Sequence, residues 1–82
     1  MNLSKQDHVV LRALGDAEGP LTTHEVGEEI RKRLTDTNRG YYDRAHKTLS
    51  KLERAGLAQR HKEGRKVSSW TISRDGQKKL AA

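Results

Sequence analysis

The sequence predicts an α+β fold that is mostly helical, with three helices, a two-stranded β-hairpin and a short C-terminal helix. Two observations favour this fold. Apolar residues recur at helical spacing in three successive segments, and two strand-like runs then flank a turn at residues 63–64. A chain of 82 residues supports one small core, so we expect residues 1–82 to form a single domain.

Two capping boxes mark the starts of the first two helices. Ser4 is followed by Asp7, and Thr22 by Glu25, so each N-cap hydroxyl has an acidic partner three residues later. Gly27 lies inside the second helix, where a close helix crossing would explain a residue without a side chain. The predicted core residues of the two helices are Val10, Leu11, Leu14, Val26, Ile30 and Leu34.

The third helix is the longest and the most basic. We expect it over residues 38–55, with Thr37 or Asn38 as its N-cap and Gly56 after its last turn. Its predicted core stripe consists of Tyr42, Ala45, Leu49 and Leu52. At about 100° per residue, seven residues lie on the opposite face: Arg39, Asp43, Arg44, Lys47, Ser50, Lys51 and Arg54. Five of these seven are basic.

The hairpin combines a basic tip with an apolar second strand. Residues 57–62 and 67–72 are expected to pair across EGRK at 63–66 or across a tighter Glu63-Gly64 turn, and either register predicts the same two sheet faces. The face against the core would carry Leu57, His61, Trp70 and Ile72. The other face and the tip would carry Arg60, Lys62, Arg65 and Lys66. Ser73 is expected to start a short terminal helix that Leu80 anchors.

The positive charge of the chain is concentrated in its second part. The net charge is +6, but residues 1–35 hold five basic and six acidic residues, a net of −1. Residues 36–82 hold twelve basic and five acidic residues, a net of +7. An excess confined to one part of the chain indicates a polyanionic partner.

Composition argues against several other classes of protein. The absence of cysteine excludes a disulfide framework and a cysteine zinc site. The run from His24 to Glu28 begins like a zinc-protease helix, but Glu28 stands where a second histidine is required. We therefore expect no enzyme activity, no catalytic residue, no metal and no cofactor. No long apolar run is present, so we expect a cytoplasmic, nucleoid-associated protein without a membrane partner.

Several segments resemble known regulators when they are taken in order. They are GPLTTHEVGEEI for the second helix, NRGYYDRAHKTLSKLERAGL for the third, GRKVSSWTI for the hairpin, and the pair Ser73 and Gly76. Together they resemble the PadR-like, and more distantly the MarR-like, transcriptional regulators. This resemblance implies a winged helix-turn-helix whose third helix lies in the major groove of DNA. The hairpin, or wing, would then lie along the backbone or in the minor groove.

The predicted function is sequence-specific binding of double-stranded DNA. In the third helix the candidate contacts are Asn38, Arg39, Gly40, Tyr41, Asp43, Arg44, Lys47, Lys51 and Arg54. In the wing they are Arg60, Lys62, Arg65 and Lys66, and at the start of the second helix Thr22 and Thr23.

These candidates have different expected roles. Arg39, Arg44 and Lys47 are placed to read bases, whereas Lys51 and Arg54 are placed to meet phosphates. The flexible backbone of Gly40 would allow close approach to the duplex. The hydroxyl of Tyr41 would either reach a phosphate or pack beside the core. Asp43 would hold Lys47 in place or accept a hydrogen bond from cytosine.

Two other functions fit the same fold; the charge agrees with the first, whereas the second would favour an apolar face on the third helix. One is an RNA-binding or ribosome-associated winged helix, and the other is a winged helix that binds proteins. The apolar seam of the last helix is too short for a coiled coil, so we expect a monomer or a weak dimer in free solution. Two copies could still pair on DNA with half-sites one helical turn apart.

Overall fold

A computed structural model describes residues 3–34, 40–62 and 68–81. Its helices are α1 (Lys5–Asp16), α2 (Thr23–Leu34), α3 (Tyr41–Arg54) and α4 (Arg74–Ala81). Its strands are β1 (Leu21–Thr22), β2 (Ala58–His61) and β3 (Ser69–Ile72). The hairpin turn and five residues with predicted roles lie outside the described residues: Thr37, Asn38, Arg39, Arg65 and Lys66.

Both predicted capping boxes are confirmed. The Asp7 amide donates to the Ser4 hydroxyl at 3.2 Å, and the Ser4 amide donates to the Asp7 carboxylate at 3.0 Å. The same reciprocal pair joins Thr22 and Glu25 at 2.9 and 3.1 Å. Each box satisfies two backbone groups that the start of a helix would otherwise leave without partners, which fixes where α1 and α2 begin.

The third helix begins three residues later than predicted. Its N-cap is Gly40, whose φ of 80° is left-handed and therefore suits glycine. The backbone of Tyr41 then passes close to Gly27 of α2. A Cβ placed on Gly27 would lie 3.2 Å from the Tyr41 carbonyl oxygen, so the close crossing predicted for Gly27 is confirmed.

The core stripe of α3 is rotated relative to the predicted one. Tyr41, not Tyr42, packs against the core, and the side chain of Tyr42 is 50% exposed. Ala45, Leu49 and Leu52 are fully buried, as predicted. Tyr41 lies four residues before Ala45, so it continues the stripe along the helix axis, whereas Tyr42 turns away from it.

The sheet has three strands in the order β1-β3-β2, one more than predicted. β1 is only two residues long, and Leu21 pairs with Trp70 of β3. Trp70 is fully buried at the centre of this sheet, and α1, α2 and α3 supply the rest of the core together with Leu57 and Ala58.

Neither register predicted for the hairpin is observed, because Ala58 and not Leu57 is the residue of β2 that pairs with Ile72. Arg60 pairs with Trp70 and shares its face, whereas His61 lies on the opposite face and hydrogen-bonds to Thr71 at 2.8 Å. The cause is the end of α3, where the Leu57 amide still donates to the Leu52 carbonyl. Leu57 is buried from this turn position, and the alternation of β2 starts only at the next residue.

The start of α4 is fastened to the end of α3. The Ser73 hydroxyl donates to the Gly56 carbonyl at 2.6 Å and accepts from the Gly76 amide at 3.0 Å. The Ser73 amide also donates to the Leu57 carbonyl at 3.0 Å. The Ser73 hydroxyl thus bonds the Gly76 amide three residues later, as an N-cap side chain does, and this fixes where α4 begins. Within the described ranges, no helix is long and apolar enough to cross a membrane.

Candidate nucleic-acid interface

One side of α3 is turned away from the core. We define the outer face of α3 as five exposed residues: Tyr42, Asp43, His46, Lys47 and Arg54. Lys47 and Arg54 form no ion pair with any part of the chain that the structure describes. The expected pair between Asp43 and Lys47 is therefore not formed. Two unneutralised cations on an exposed helix face are available to an anionic partner.

Two other basic residues of α3 within the described ranges, Arg44 and Lys51, contact side chains of α1. Arg44 Nε donates to Gln6 Oε1 at 2.9 Å, and Gln6 Nε2 donates to Thr48 Oγ1 at 2.7 Å. Lys51 Nζ forms an ion pair with Asp7 at 2.5 Å. Arg44 and Lys51 thus lie on the flank of α3 that faces α1, not opposite the core stripe as predicted. The predicted face was centred too far toward them because its core stripe began at Tyr42.

The Asp7 carboxylate is the most enclosed charge in this region. Asp7 is only 3% exposed, whereas the side chain of its partner Lys51 is 44% exposed. Burial raises the pKa of the Asp7 carboxyl. The hydrogen bonds from Lys51 and Ser4, together with the charge of Lys51, lower the pKa by a larger amount. The net pKa lies below the ordinary aspartate value, so this carboxyl is ionised at neutral pH.

The first residues of α3 divide between the core and the surface. Gly40 is exposed, and no atom of the described chain lies within 4 Å of a Cβ built on it. Tyr41 is half-buried, with the Arg44 guanidinium 5.4 Å from the centre of its ring. Of the two roles left open for Tyr41, packing beside the core is the one that the fold supports.

The start of α2 offers less to an anion than its sequence indicates. Thr23 is 2% exposed, and its hydroxyl accepts a hydrogen bond from Trp70 Nε1 at 3.0 Å. This hydroxyl therefore serves the core, and a DNA contact at Thr23 would have to use its backbone amide. The Thr22 hydroxyl is occupied by the Glu25 amide, and the Glu25 carboxylate lies at the same helix end. That negative charge opposes the approach of a phosphate.

The base of the wing is held to α3 by Arg60. Its guanidinium lies 5.6 Å from the centre of the Trp70 ring, and its Nε is 3.5 Å from the Glu53 carboxylate. Arg60 is therefore not on the free face of the hairpin, as predicted, but braces β2 against the end of α3. Lys62, the next basic residue toward the tip, is exposed.

Sequence reasoning missed four residues of this region: Gln6, Asp7, Tyr42 and His46. The sequence predicts Asp7 only as the capping-box partner of Ser4 and gives Gln6 no role, because nothing in it pairs these two residues with residues about forty positions later. Tyr42 could have been found from spacing, since Tyr41 is the residue that lies four positions before Ala45.

Comparison with known proteins gives no match to a family model or to a curated protein sequence. Solved structures do match, at 27 chains. The regulator PcaV from Streptomyces coelicolor is 22% identical with a TM-score of 0.75, over 96% of this chain and 51% of its own. Bacillus subtilis PadR, solved with operator DNA, is 18% identical with a TM-score of 0.67, over 92% of this chain and 44% of its own.

The ferric uptake regulator Fur from Helicobacter pylori also matches, with 19% identity and a TM-score of 0.73 over 88% of this chain and 46% of its own. That protein has three functional metal-binding sites. In the described part of the present chain, no three His, Cys, Asp or Glu residues are grouped as metal ligands. The chain spans about half the length of these three proteins. Its fold is a winged helix, the fold that these transcription regulators share.

Proposed function

We propose that this chain binds double-stranded DNA in a sequence-specific manner and acts as a transcriptional regulator. The observation that carries the proposal is the outer face of α3, where Lys47 and Arg54 are exposed and have no ion-pair partner among the described residues. The winged-helix fold supports it, because a structural relative, PadR from Bacillus subtilis, was solved with operator DNA. The net charge of +7 over residues 36–82 agrees with a polyanionic partner.

The third helix has suitable dimensions for the major groove. Its 14 residues give a rod about 21 Å long, and the groove of B-DNA is about 12 Å wide. With the outer face toward the base pairs, Tyr42 and His46 lie in the first half of the helix and would meet base edges. Lys47 would contact a base or a phosphate, and Arg54, farther along, a phosphate.

The wing would add contacts to the backbone or the minor groove. Lys62 is exposed at the end of β2, and the sequence places Arg65 and Lys66 beyond it. Arg60 acts in this proposal as a brace, since its contacts with Glu53 and Trp70 hold the hairpin beside α3. Asn38, Arg39 and Gly40, which precede α3, remain proposed contacts on the same side of the duplex.

The direct test compares duplex DNA with structured RNA of equal length by fluorescence anisotropy. We expect tighter binding to duplex DNA, and selection from random duplexes should yield a common sequence. Equal or tighter binding to RNA would favour an RNA-binding protein instead. Failure to bind either nucleic acid would favour a winged helix that binds proteins.

Matched variants localise the binding surface. Lys47→Gln and Arg54→Gln remove cations from the outer face of α3, and Lys78→Gln removes an exposed cation from α4, which packs on α1. We expect the first two variants to weaken DNA binding and the third to have little effect. Equal losses in all three would mean that binding depends on total charge and not on α3.

A further inference from the structure

The ion pair between Asp7 and Lys51 joins the first turn of α1 to the flank of α3 that faces it. We infer that the Asp7 carboxylate takes the position beside Lys51 that a DNA phosphate would otherwise take. It thereby limits the electrostatic affinity of the chain for DNA. This inference rests on the proposed function. It assigns a role in DNA binding to a residue that touches no DNA.

The carboxylate is built into the fold and does not depend on a chance surface contact. Asp7 is 3% exposed, and its Oδ2 accepts hydrogen bonds from both the Ser4 amide and Lys51 Nζ. The capping box fixes the backbone around it. The carboxylate therefore cannot swing away when a duplex approaches, as an exposed acidic side chain could.

Lys51 differs in this respect from its neighbours on α3. Lys47 and Arg54 have no carboxylate partner within the described residues, whereas Lys51 has one at 2.5 Å. At about 0.15 M salt the screening length is about 8 Å, which is longer than this separation. A phosphate at the flank of α3 therefore meets a pair with no net charge and gains little from the ammonium group.

The consequence concerns the sequence-independent part of binding. Each cation that neutralises a phosphate adds about 0.9 to the slope of log K against log salt. A phosphate contact adds to the affinity for all duplexes alike and carries no sequence information. Removal of the Asp7 charge should therefore strengthen binding to preferred and random duplexes by the same factor, without changing their ratio.

The test uses Asp7→Asn and the double variant Asp7→Asn with Lys51→Gln. Asparagine keeps an oxygen that can accept from the Ser4 amide but carries no charge. On a random duplex, Asp7→Asn should steepen the salt slope by about 0.9 and raise affinity about fivefold at about 0.15 M salt. The double variant, whose pair is again neutral, should return to the wild-type slope.

Two outcomes would overturn the inference. One is a folded Asp7→Asn protein whose slope equals or falls below that of the wild type. The other is a double variant with a shallower slope than the wild type, which would mean that Lys51 contacts a phosphate despite Asp7. If Asp7→Asn fails to fold, as circular dichroism would show, the double variant still decides, because it leaves no unpaired charge in the site.

A separate control distinguishes this failure from failure of the proposed function. Lys47→Gln should make the slope of log K against log salt shallower by about 0.9, whether or not Asp7 limits affinity. If Lys47→Gln has this effect and Asp7→Asn has none, only the inference fails. If neither Lys47→Gln nor Arg54→Gln changes the slope, α3 does not face the duplex and the proposed function fails with it.

Discussion

The indole Nε1 of Trp70 donates a 3.0 Å hydrogen bond to the hydroxyl of Thr23, and both side chains are buried. This bond joins the central strand of the sheet to the first residue of α2, 47 positions earlier. Arg60 then covers the same indole and reaches Glu53 of α3. Trp70 therefore connects the wing to both helices of the helix-turn-helix.

Loss of the Thr23 hydroxyl should destabilise the fold. Thr23→Val keeps the shape of the side chain but leaves the buried Trp70 N–H without an acceptor, which costs about 1–3 kcal/mol. Thr23→Ser keeps the hydroxyl and should cost less. Urea denaturation followed by the fluorescence of the single tryptophan measures both. A smaller loss for Thr23→Val than for Thr23→Ser would contradict this, because the methyl group and not the hydrogen bond would then dominate at this position.

A side chain at Gly76 should also destabilise the fold. Gly76 is buried, and a Cβ there would overlap the Leu57 carbonyl oxygen and lie 2.7 Å from Ile72 Cγ1. Gly76→Ala should therefore cost about 1–3 kcal/mol of the free energy of unfolding. Gly19→Ala is the matched control, because nothing in the described chain lies within 4 Å of its Cβ. Similar midpoints for both variants in thermal denaturation would contradict the tight packing of α4.

Asp7 should make stability depend on pH in the acid range. Its pKa in the folded chain lies below the value of about 3.9 in an unfolded chain, so the folded state binds this proton less tightly. The stabilisation is therefore complete above about pH 4 and is lost as the pH falls through the lowered pKa. In urea denaturation, the difference between wild type and Asp7→Asn should shrink below that pH. A constant difference down to about pH 2 would contradict this.

The two adjacent tyrosines should respond oppositely to truncation. Tyr41→Ala removes a ring that packs against the core and should cost about 1–2 kcal/mol of stability. Tyr42→Ala removes an exposed ring and should change stability by less than about 0.5 kcal/mol. It should instead weaken binding to a preferred duplex several-fold, with the salt slope unchanged. If anisotropy titrations show no loss of affinity for Tyr42→Ala, Tyr42 does not contact the bases.

Most of the fold could be predicted because its signals are local. Ser4 with Asp7 and Thr22 with Glu25 fix two helix starts within four residues of sequence. Helical spacing identifies the core residues of α1 and α2. β1 could not be predicted, because two residues show no alternation and Leu21 becomes a strand only by pairing with Trp70.

The site was harder to predict than the fold because its partners are distant in sequence. Composition identifies the basic part of the chain, but only the folded structure shows which cations are already neutralised. Lys47 and Lys51 look equivalent on a helical wheel, yet Asp7 of α1 holds one of them. The face of Arg60 depends on whether β2 starts at Leu57 or at Ala58, and the last turn of α3 decides this.

The salt dependence of duplex binding tests the central proposal most directly. Five proposed contacts lie on α3 and the wing: Lys47, Arg54, Lys62, Arg65 and Lys66. If each neutralises one phosphate, log K against log salt should fall with a slope of about −4.5. Anisotropy titrations of one labelled duplex over a series of salt concentrations give this slope. A slope shallower than about −2 would contradict the proposal, because the basic face of the chain would not then lie against DNA.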